Sequence, residues 1–357
     1  MFHARRTRAG YELPPYYLVY FLLVELLGFP HLGRSEKVAW SVPVELKDRV
    51  FMVEHRKLGL GVFADDPEAD EGLAHEVVTC IQTGVKAARP YFRWVASEAV
   101  KGSQVNVVNG SRSLFQRFDY LAEAYKAKAK EAFDRKDETE VETGKSELGT
   151  WTVVHHPAFR LSLEAHWLAL AAIEAFFSWT EHVFIHLAIL KGRVTTGIEV
   201  ADLAAADWAG KFKMALEITD PVTKKYFDEL VAVRKKVRNY VAHGAFVKNG
   251  EALEFHSGAG AVPVILAGSP GDGRVDLGTY GSLEGRDAIA LAEEFIVHLW
   301  SDDRAAAEVY IQKSGLPLIL TMAKDGSYFE AMSSVDAMET LVEALTWQFD
   351  MAANMDW

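Results

Sequence analysis

The run from Leu161 to Leu190 constrains this chain more than any other stretch. Leu168, Ala172, Ala175, Trp179, Val183, His186 and Leu187 fall on or near one stripe at helical spacing, and Gly192 supplies the left-handed position that commonly ends a helix. A helix this apolar has to bury itself, so the fold is expected to be built around a helical bundle. Two shorter helices are predicted after it, Asp202 to Glu217 and Pro221 to Ala242. Pro221 suits the first turn of the second, along which Tyr226, Leu230, Val233, Val237 and Val241 recur at spacings of four and three, a face packed on neighbouring helices. Between Gly250 and Gly285 the composition shifts to Gly, Pro, Ser and β-formers, which predicts a Gly-rich excursion with short strands. A helix from Arg286 to about Lys313 then closes the bundle.

At the amino end, Arg5, Arg6 and Arg8 precede the apolar run Tyr16 to Phe29 and imitate a secretion signal. Glu12, Pro14, Pro15 and Glu25 argue against that, as does a length below the roughly 20 residues that cross a bilayer, so the run is read as a buried helix. No other segment is read as approaching spanning length, and a cytoplasmic protein without membrane contact is expected. Val38 to Leu46 and Arg49 to Phe63 are predicted strands joined at Lys47-Asp48, and Gly72 to Val100 a helix bent or restarted at Pro90. Phe115 to about Glu147 is dense in Lys, Glu, Asp and Ala, which predicts an exposed helix fraying into a linker and a domain boundary. Pro317 to Met322 and Tyr328 to Met332 flank Lys324-Asp325-Gly326 and predict a β-hairpin, followed by a helix from Val335 to about Met351. The expected fold is mainly α with a minor β component. It has a mixed α/β region over 1–148, a helical bundle over 157–313 and a C-terminal hairpin plus helix over 314–357.

The net charge is −12, so the surface as a whole repels nucleic acid, and any such contact needs a local basic patch. Trp208 to Lys248 supplies one, with nine Lys or Arg against four Asp or Glu. A single cysteine, Cys80, excludes an internal disulfide and a four-cysteine zinc site. Gly144-Lys145-Ser146 imitates the end of a phosphate-binding loop, but the required first Gly falls at Thr139. His182 and His186, four apart among Val183, Phe184 and Leu187, read as bundle packing, and His55 as half of a cross-strand pair.

The basic segment holds Arg234-Lys235-Lys236-Val237-Arg238-Asn239-Tyr240-Val241-Ala242-His243-Gly244. The helix is expected to stop at His243, because Gly244 suits the left-handed cap, which sets the imidazole at the negative end of the helix dipole. The string from Arg238 through Gly244 resembles the Arg-x(4 to 6)-His signature of HEPN domains, helical bundles found in many metal-independent endoribonucleases, toxins and antiviral effectors. The spacing alone also occurs at Arg49 with His55 and at Arg160 with His166. The third site is set apart by Asn239, Ala242, Gly244 and the surrounding cations. A long helix carrying Glu174 and Glu181, and a Trp-x-x-Lys element at Trp208 and Lys211, also resemble the family. The likeness covers about Pro157 to Lys313.

The resemblance implies a HEPN-like bundle that cleaves RNA without metal or other cofactor. His243 would act as general base or acid, Arg238 would stabilise charge on the pentacovalent phosphate, and Asn239 would orient one of them. Arg234, Lys235 and Lys236 would hold the RNA backbone, with Glu174 and Glu181 as supporting carboxylates behind Arg238. It further implies a homodimer with both motifs lining one cleft, and leaves room for a neutralising protein partner. The plainer account of Arg238 is a salt bridge to Glu174 or Glu181, and of His243 a helix cap. The matching functional alternative is a noncatalytic scaffold that binds RNA or a protein through the same ridge. Some relatives carry a Tyr two residues after the His, where nucleotides are attached; here that position is Ala245.

Overall fold

In the computed structural model the described residues are 4–146, 149–243, 253–258, 260–266, 275–277 and 285–355, with the backbone alone for Ser146, 238–243, 253–255, 263–266 and 275–277. The fold is mainly α with a minor β component, as the sequence predicts. It divides into two units, one formed by Met1–Val105 with Thr340–Trp357, the other by Asn106–Glu339.

The first unit is a sheet backed by helices. Its strands β1 (Arg5–Arg6), β2 (Val38–Leu46), β3 (Arg49–Arg56) and β4 (Gly59–Ala64) are all antiparallel in the order β1-β4-β3-β2. Lys47 and Asp48 form the predicted turn, both at positive φ (52° and 61°), the geometry that matches the twist of a two-residue hairpin. The second predicted strand is in fact two, parted at Lys57-Leu58. The apolar run near the amino end is helical as read: α1 (Tyr16–Tyr20) continues as π-helical turns over Phe21–Leu26. Val19, Leu22 and Leu23 pack with Trp40, Val42, Val53 and Val62 of the sheet and with Val77, Val78 and Ile81 of α2 (Glu71–Ala87). Next comes α3 (Arg89–Lys101), restarted at Pro90 as expected.

The second unit is the bundle. After β5 (Asn106–Val107), α4 (Ser111–Asp134) runs antiparallel along α5 (Pro157–Leu190), and between them β6 (Glu140–Ser146) and β7 (Gly149–His155) form a hairpin. Around the C-terminal half of α5 stand α6 (Gly197–Ala205), α7 (Trp208–Ala215), α8 (Pro221–His243) and, after the three-stranded sheet of β8 (Leu253–Ser257), β9 (Gly260–Leu266) and β10 (Val275–Leu277), α9 (Gly285–Leu299). Their seam is aromatic: Phe184 lies 5.6 Å from Trp208, 5.2 Å from Phe212 and 6.3 Å from Phe295 between ring centres. Then follow α10 (Ala305–Glu308), β11 (Leu318–Ile319) paired with β5, α11 (Leu320–Asp325), α12 (Ser327–Ala331) and α13 (Val335–Asn354).

Four expectations are corrected. The charged stretch is no frayed linker: α4 buries Phe118, Ala122 and Ala132, and the small Ala residues that make it look polar let α5 approach closely. The boundary at about 148 moves to Val105, because α4 and the hairpin belong with the bundle. The C-terminal region 314–357 is no separate domain, since α13 passes from one unit into the other. Its predicted β-hairpin is α11 and α12: Gly326 does adopt the left-handed conformation (φ 90°), but as a helix cap. In addition, α5 is long and apolar enough to cross a membrane by length and composition, a property the sequence reading denied it, and more than half of its most apolar window is buried inside the protein.

Candidate functional site

Three helices of the bundle converge on one carboxylate. Asp207 caps α7 by accepting from the Gly210 N–H (2.8 Å), and one turn on, Trp208 and Lys211 share its inner face. Trp208 is buried and donates its indole N–H to the Thr180 hydroxyl of α5 (2.9 Å). Lys211 Nζ donates to Glu181 Oε2 at 2.7 Å, and Arg234 Nη2 of α8 donates to Glu181 Oε1 at 2.8 Å. The Lys211 side chain is 7% exposed, against 28% for Glu181 and 38% for Arg234. The Arg234 guanidinium also stands 5.8 Å from the Phe177 ring centre and 5.9 Å from that of Trp208, at the edge of cation–π range. One carboxylate between two cations leaves the cluster net positive.

Arg234, expected on the RNA-binding ridge, is engaged by Glu181. It fastens α8 to α5 and α7. Glu181 is committed to Lys211 and Arg234, while Glu174 is exposed and has no ion pair among the described residues. Lys235 and Lys236 are exposed. Arg238, Asn239 and His243 lie on the helical backbone, but their side chains fall outside the described residues, as does the whole of Gly244 and with it the predicted stop.

The helix itself sorts these positions. Leu230 and Val237, seven apart, are buried and mark the inward face of α8. At about 100° per residue, Arg234 stands about 40° and Arg238 about 80° from Leu230 around the axis. Lys235, Asn239, His243 and Lys236 all fall between about 140° and 240°, the outward side. Along the helical backbone, Arg238 and His243 are thus about 140° apart around the axis.

Phe227 lies 5.1 Å from Phe212 and 6.3 Å from Trp208, near the Phe184 end of α5, whereas Arg234 has reached Glu181 and Phe177. The helices α5 and α8 are therefore antiparallel.

Other candidates are accounted for structurally. The His182 and His186 rings are 4.1 Å apart. His182 Nε2 accepts from the Gly110 N–H (2.9 Å), and His186 Nδ1 donates to the His182 carbonyl (2.8 Å). Burial, and then the neighbouring His186, push the His182 pKa down to about 3, and burial lowers that of His186. These imidazoles fix the approach to α4 as neutral packing groups. His55 faces Trp40 across β2 and β3 and stacks under Tyr16 with ring centres 4.1 Å apart, and burial lowers its pKa. Gly144-Lys145-Ser146 sits in β6 and opens no helix. A hollow of about 360 Å³ at the C-terminal end of α5 is lined by Lys191, Arg193, Glu217, Asp303 and Phe329. Its cations are already paired, Lys191 with Asp303 at 3.2 Å and Arg193 with Glu217 at 2.8 Å.

No family model, no curated protein and no solved structure matches this chain. Its functional reading rests on the motif and on α5, α7 and α8. The Lys211–Glu181–Arg234 clamp is the feature that sequence reasoning missed. A signal for it existed, since Arg234 is four residues after Leu230 and three before Val237, the spacing of an inward position.

Proposed function

We propose that the protein is an endoribonuclease of HEPN type that cleaves RNA without a metal ion. The supporting observation is that α8 runs helical to His243 and is held at Arg234 by Glu181 and Lys211. Lys235 and Lys236 are exposed on that helix, in the most cationic part of an acidic chain. In the proposed reaction the ribose 2′-hydroxyl attacks the adjacent phosphorus, its proton passing to a His243 imidazole. The 5′-oxygen leaves with a proton from an imidazolium, and a 2′,3′-cyclic phosphate remains. Arg238 stabilises the charge that builds on the phosphoryl oxygens, and Asn239 orients the phosphate. Lys235 and Lys236 hold the strand, and RNA is the substrate because DNA lacks the attacking hydroxyl. Since about 140° of helix separates Arg238 from His243, a homodimer with both motifs on one cleft brings these groups together more directly than one chain does. A cytoplasmic defence or stress role, restrained by a neutralising protein, suits such an enzyme.

The test is incubation of the purified chain with structured RNA in chelator, with the cut ends mapped. Cyclic phosphate ends that disappear with His243→Ala support the reading, and equal cleavage by that variant removes it. One observation favours the second reading, a noncatalytic scaffold: Lys211 and Arg234 are both engaged by Glu181. A scaffold binds RNA with an affinity that falls with salt and with Lys235 and Lys236 replaced, yet yields no product.

A further inference from the structure

The amino-terminal part of α5 runs along the C-terminal part of α4. The start of α9 meets α5 at Ala169, which a Cβ on Gly285 would press at 2.6 Å. On the amino side of that point Pro157, Leu161 and Ala165 are buried, and Lys128 of α4 pairs with Glu164 at 3.4 Å. The remaining surface of this stretch carries Phe159, Leu163 and Trp167 at spacings of four, with Phe159 78% and Trp167 57% exposed. At the tip of the pair stands the β6–β7 hairpin, whose Val141, Trp151, Val153 and Val154 are exposed although they occupy both of its faces. A two-stranded hairpin without a covered face is at best marginally stable in water.

The two edges of that hairpin differ. β6 carries Glu140, Glu142 and Lys145, charges of the kind that guard an edge strand. From Thr150 to Val154, β7 reads Thr-Trp-Thr-Val-Val, with no charge and no proline, and no third strand pairs with it among the described residues. Alternate residues of β7 turn their N–H and C=O groups away from β6. Such an edge is a template for another strand.

We propose that β7 pairs antiparallel with β7 of a second copy of this chain about a twofold axis, joining two hairpins into one four-stranded sheet. Antiparallel pairing of identical strands is self-complementary by symmetry. Centred on Thr152, it sets Trp151 opposite Val153 of the partner copy, and Val153 opposite its Trp151, an aromatic and a β-branched side chain of the sort that stabilises cross-strand pairs. No like charges meet between Thr150 and Val154, whereas a charged peptide or a nucleic acid finds nothing there to pair with its charge. Beside the paired backbones, the half-exposed Trp151 adds aromatic surface to the joined sheet. This surface is separate from Lys235 and Lys236 of α8. Its failure is read in the oligomeric state, and failure of the ribonuclease reading in the RNA ends.

The test measures the mass of the full chain in solution by light scattering and sedimentation over a range of concentrations. The expected wild-type species has twice the mass of the Thr152→Glu variant. Thr152→Glu sets two carboxylates face to face and weakens this contact by about 100-fold or more, with an unchanged circular dichroism spectrum. In a Cys80→Ser background, Thr152→Cys cross-links the two copies on mild oxidation, which keeps the test decisive should the glutamate variant misfold. A wild-type monomer throughout, or a dimer that keeps its affinity with Thr152→Glu and forms no cross-link through Thr152→Cys, overturns the proposal.

Discussion

Replacing Glu181 by Gln asks how much of the bundle depends on one carboxylate. Lys211 decides the answer, because its side chain is 7% exposed and Glu181 Oε2 is its ion-pair partner at 2.7 Å. An amide leaves that ammonium enclosed without a counter-charge, and breaking a buried pair from one side costs about 3–5 kcal/mol. Glu181 itself is 28% exposed, so water relieves part of the penalty and about 3 kcal/mol is the expectation. Arg234 is more exposed and screened, and its bond adds about 0.5–1 kcal/mol at most. Lys211→Met removes the buried charge and keeps the volume, so it should cost only about 1 kcal/mol alone. The double variant should then be less damaged than the two singles together, with a coupling of about 2 kcal/mol. Native-state hydrogen exchange on the amides of α7 and α8 measures these differences within the unit concerned. Additivity within about 0.5 kcal/mol would show the pair to be solvated like a surface bridge and would refute the reasoning.

Two further outcomes follow from buried polar groups. His182 is held neutral with its pKa near 3, against 6.5 when free, so its contribution to stability is complete above pH 6.5 and drains as pH falls towards 3. Between pH 7 and 5 the wild type should lose about 1–2 kcal/mol more than His182→Gln, whose amide oxygen can still accept from Gly110, and coincident pH profiles would contradict this. Tyr328 accepts from the Ile319 N–H (2.8 Å) and lies 3.1 Å from the Tyr310 hydroxyl, which donates to the Pro317 carbonyl (2.8 Å). Tyr328→Phe leaves that N–H unpaired and should destabilise the unit by about 1–3 kcal/mol in urea unfolding, and a change below about 0.5 kcal/mol would show that water replaces the hydroxyl.

Those parts of the fold that rest on one local signal were legible in the sequence. Lys47-Asp48 between two β-forming runs, Pro90 inside an amphipathic helix and Pro221 at a helix start each act through backbone geometry that neighbouring packing does not alter. Where one signal serves two structures, the reading failed. Gly326 after Asp325 provides a residue at positive φ, which both a hairpin turn and a helix cap require, and only the burial of Tyr328 and Leu320 selects the helices. α4 failed for another reason: Ala contributes little to a count of apolar anchors, yet Ala122 and Ala132 are buried because they are small.

The site was legible as a set of residues and not as an arrangement. Composition located the basic segment, and the motif located Arg238 and His243 within it, but neither separates inward from outward positions. Helical phase does, once Leu230 and Val237 are known to be buried. It sorts the four neighbouring cations of the segment by their position around the helix. Arg234 joins Lys211 on Glu181, while Lys235 and Lys236 are exposed. Binding energy gathered at those two lysines can therefore vary without loosening the bundle, whereas any change at Glu181 moves the helix that carries them. A basic ridge read from sequence alone overstates the charge available to a ligand by whatever part the core has already neutralised, and here that part is Lys211.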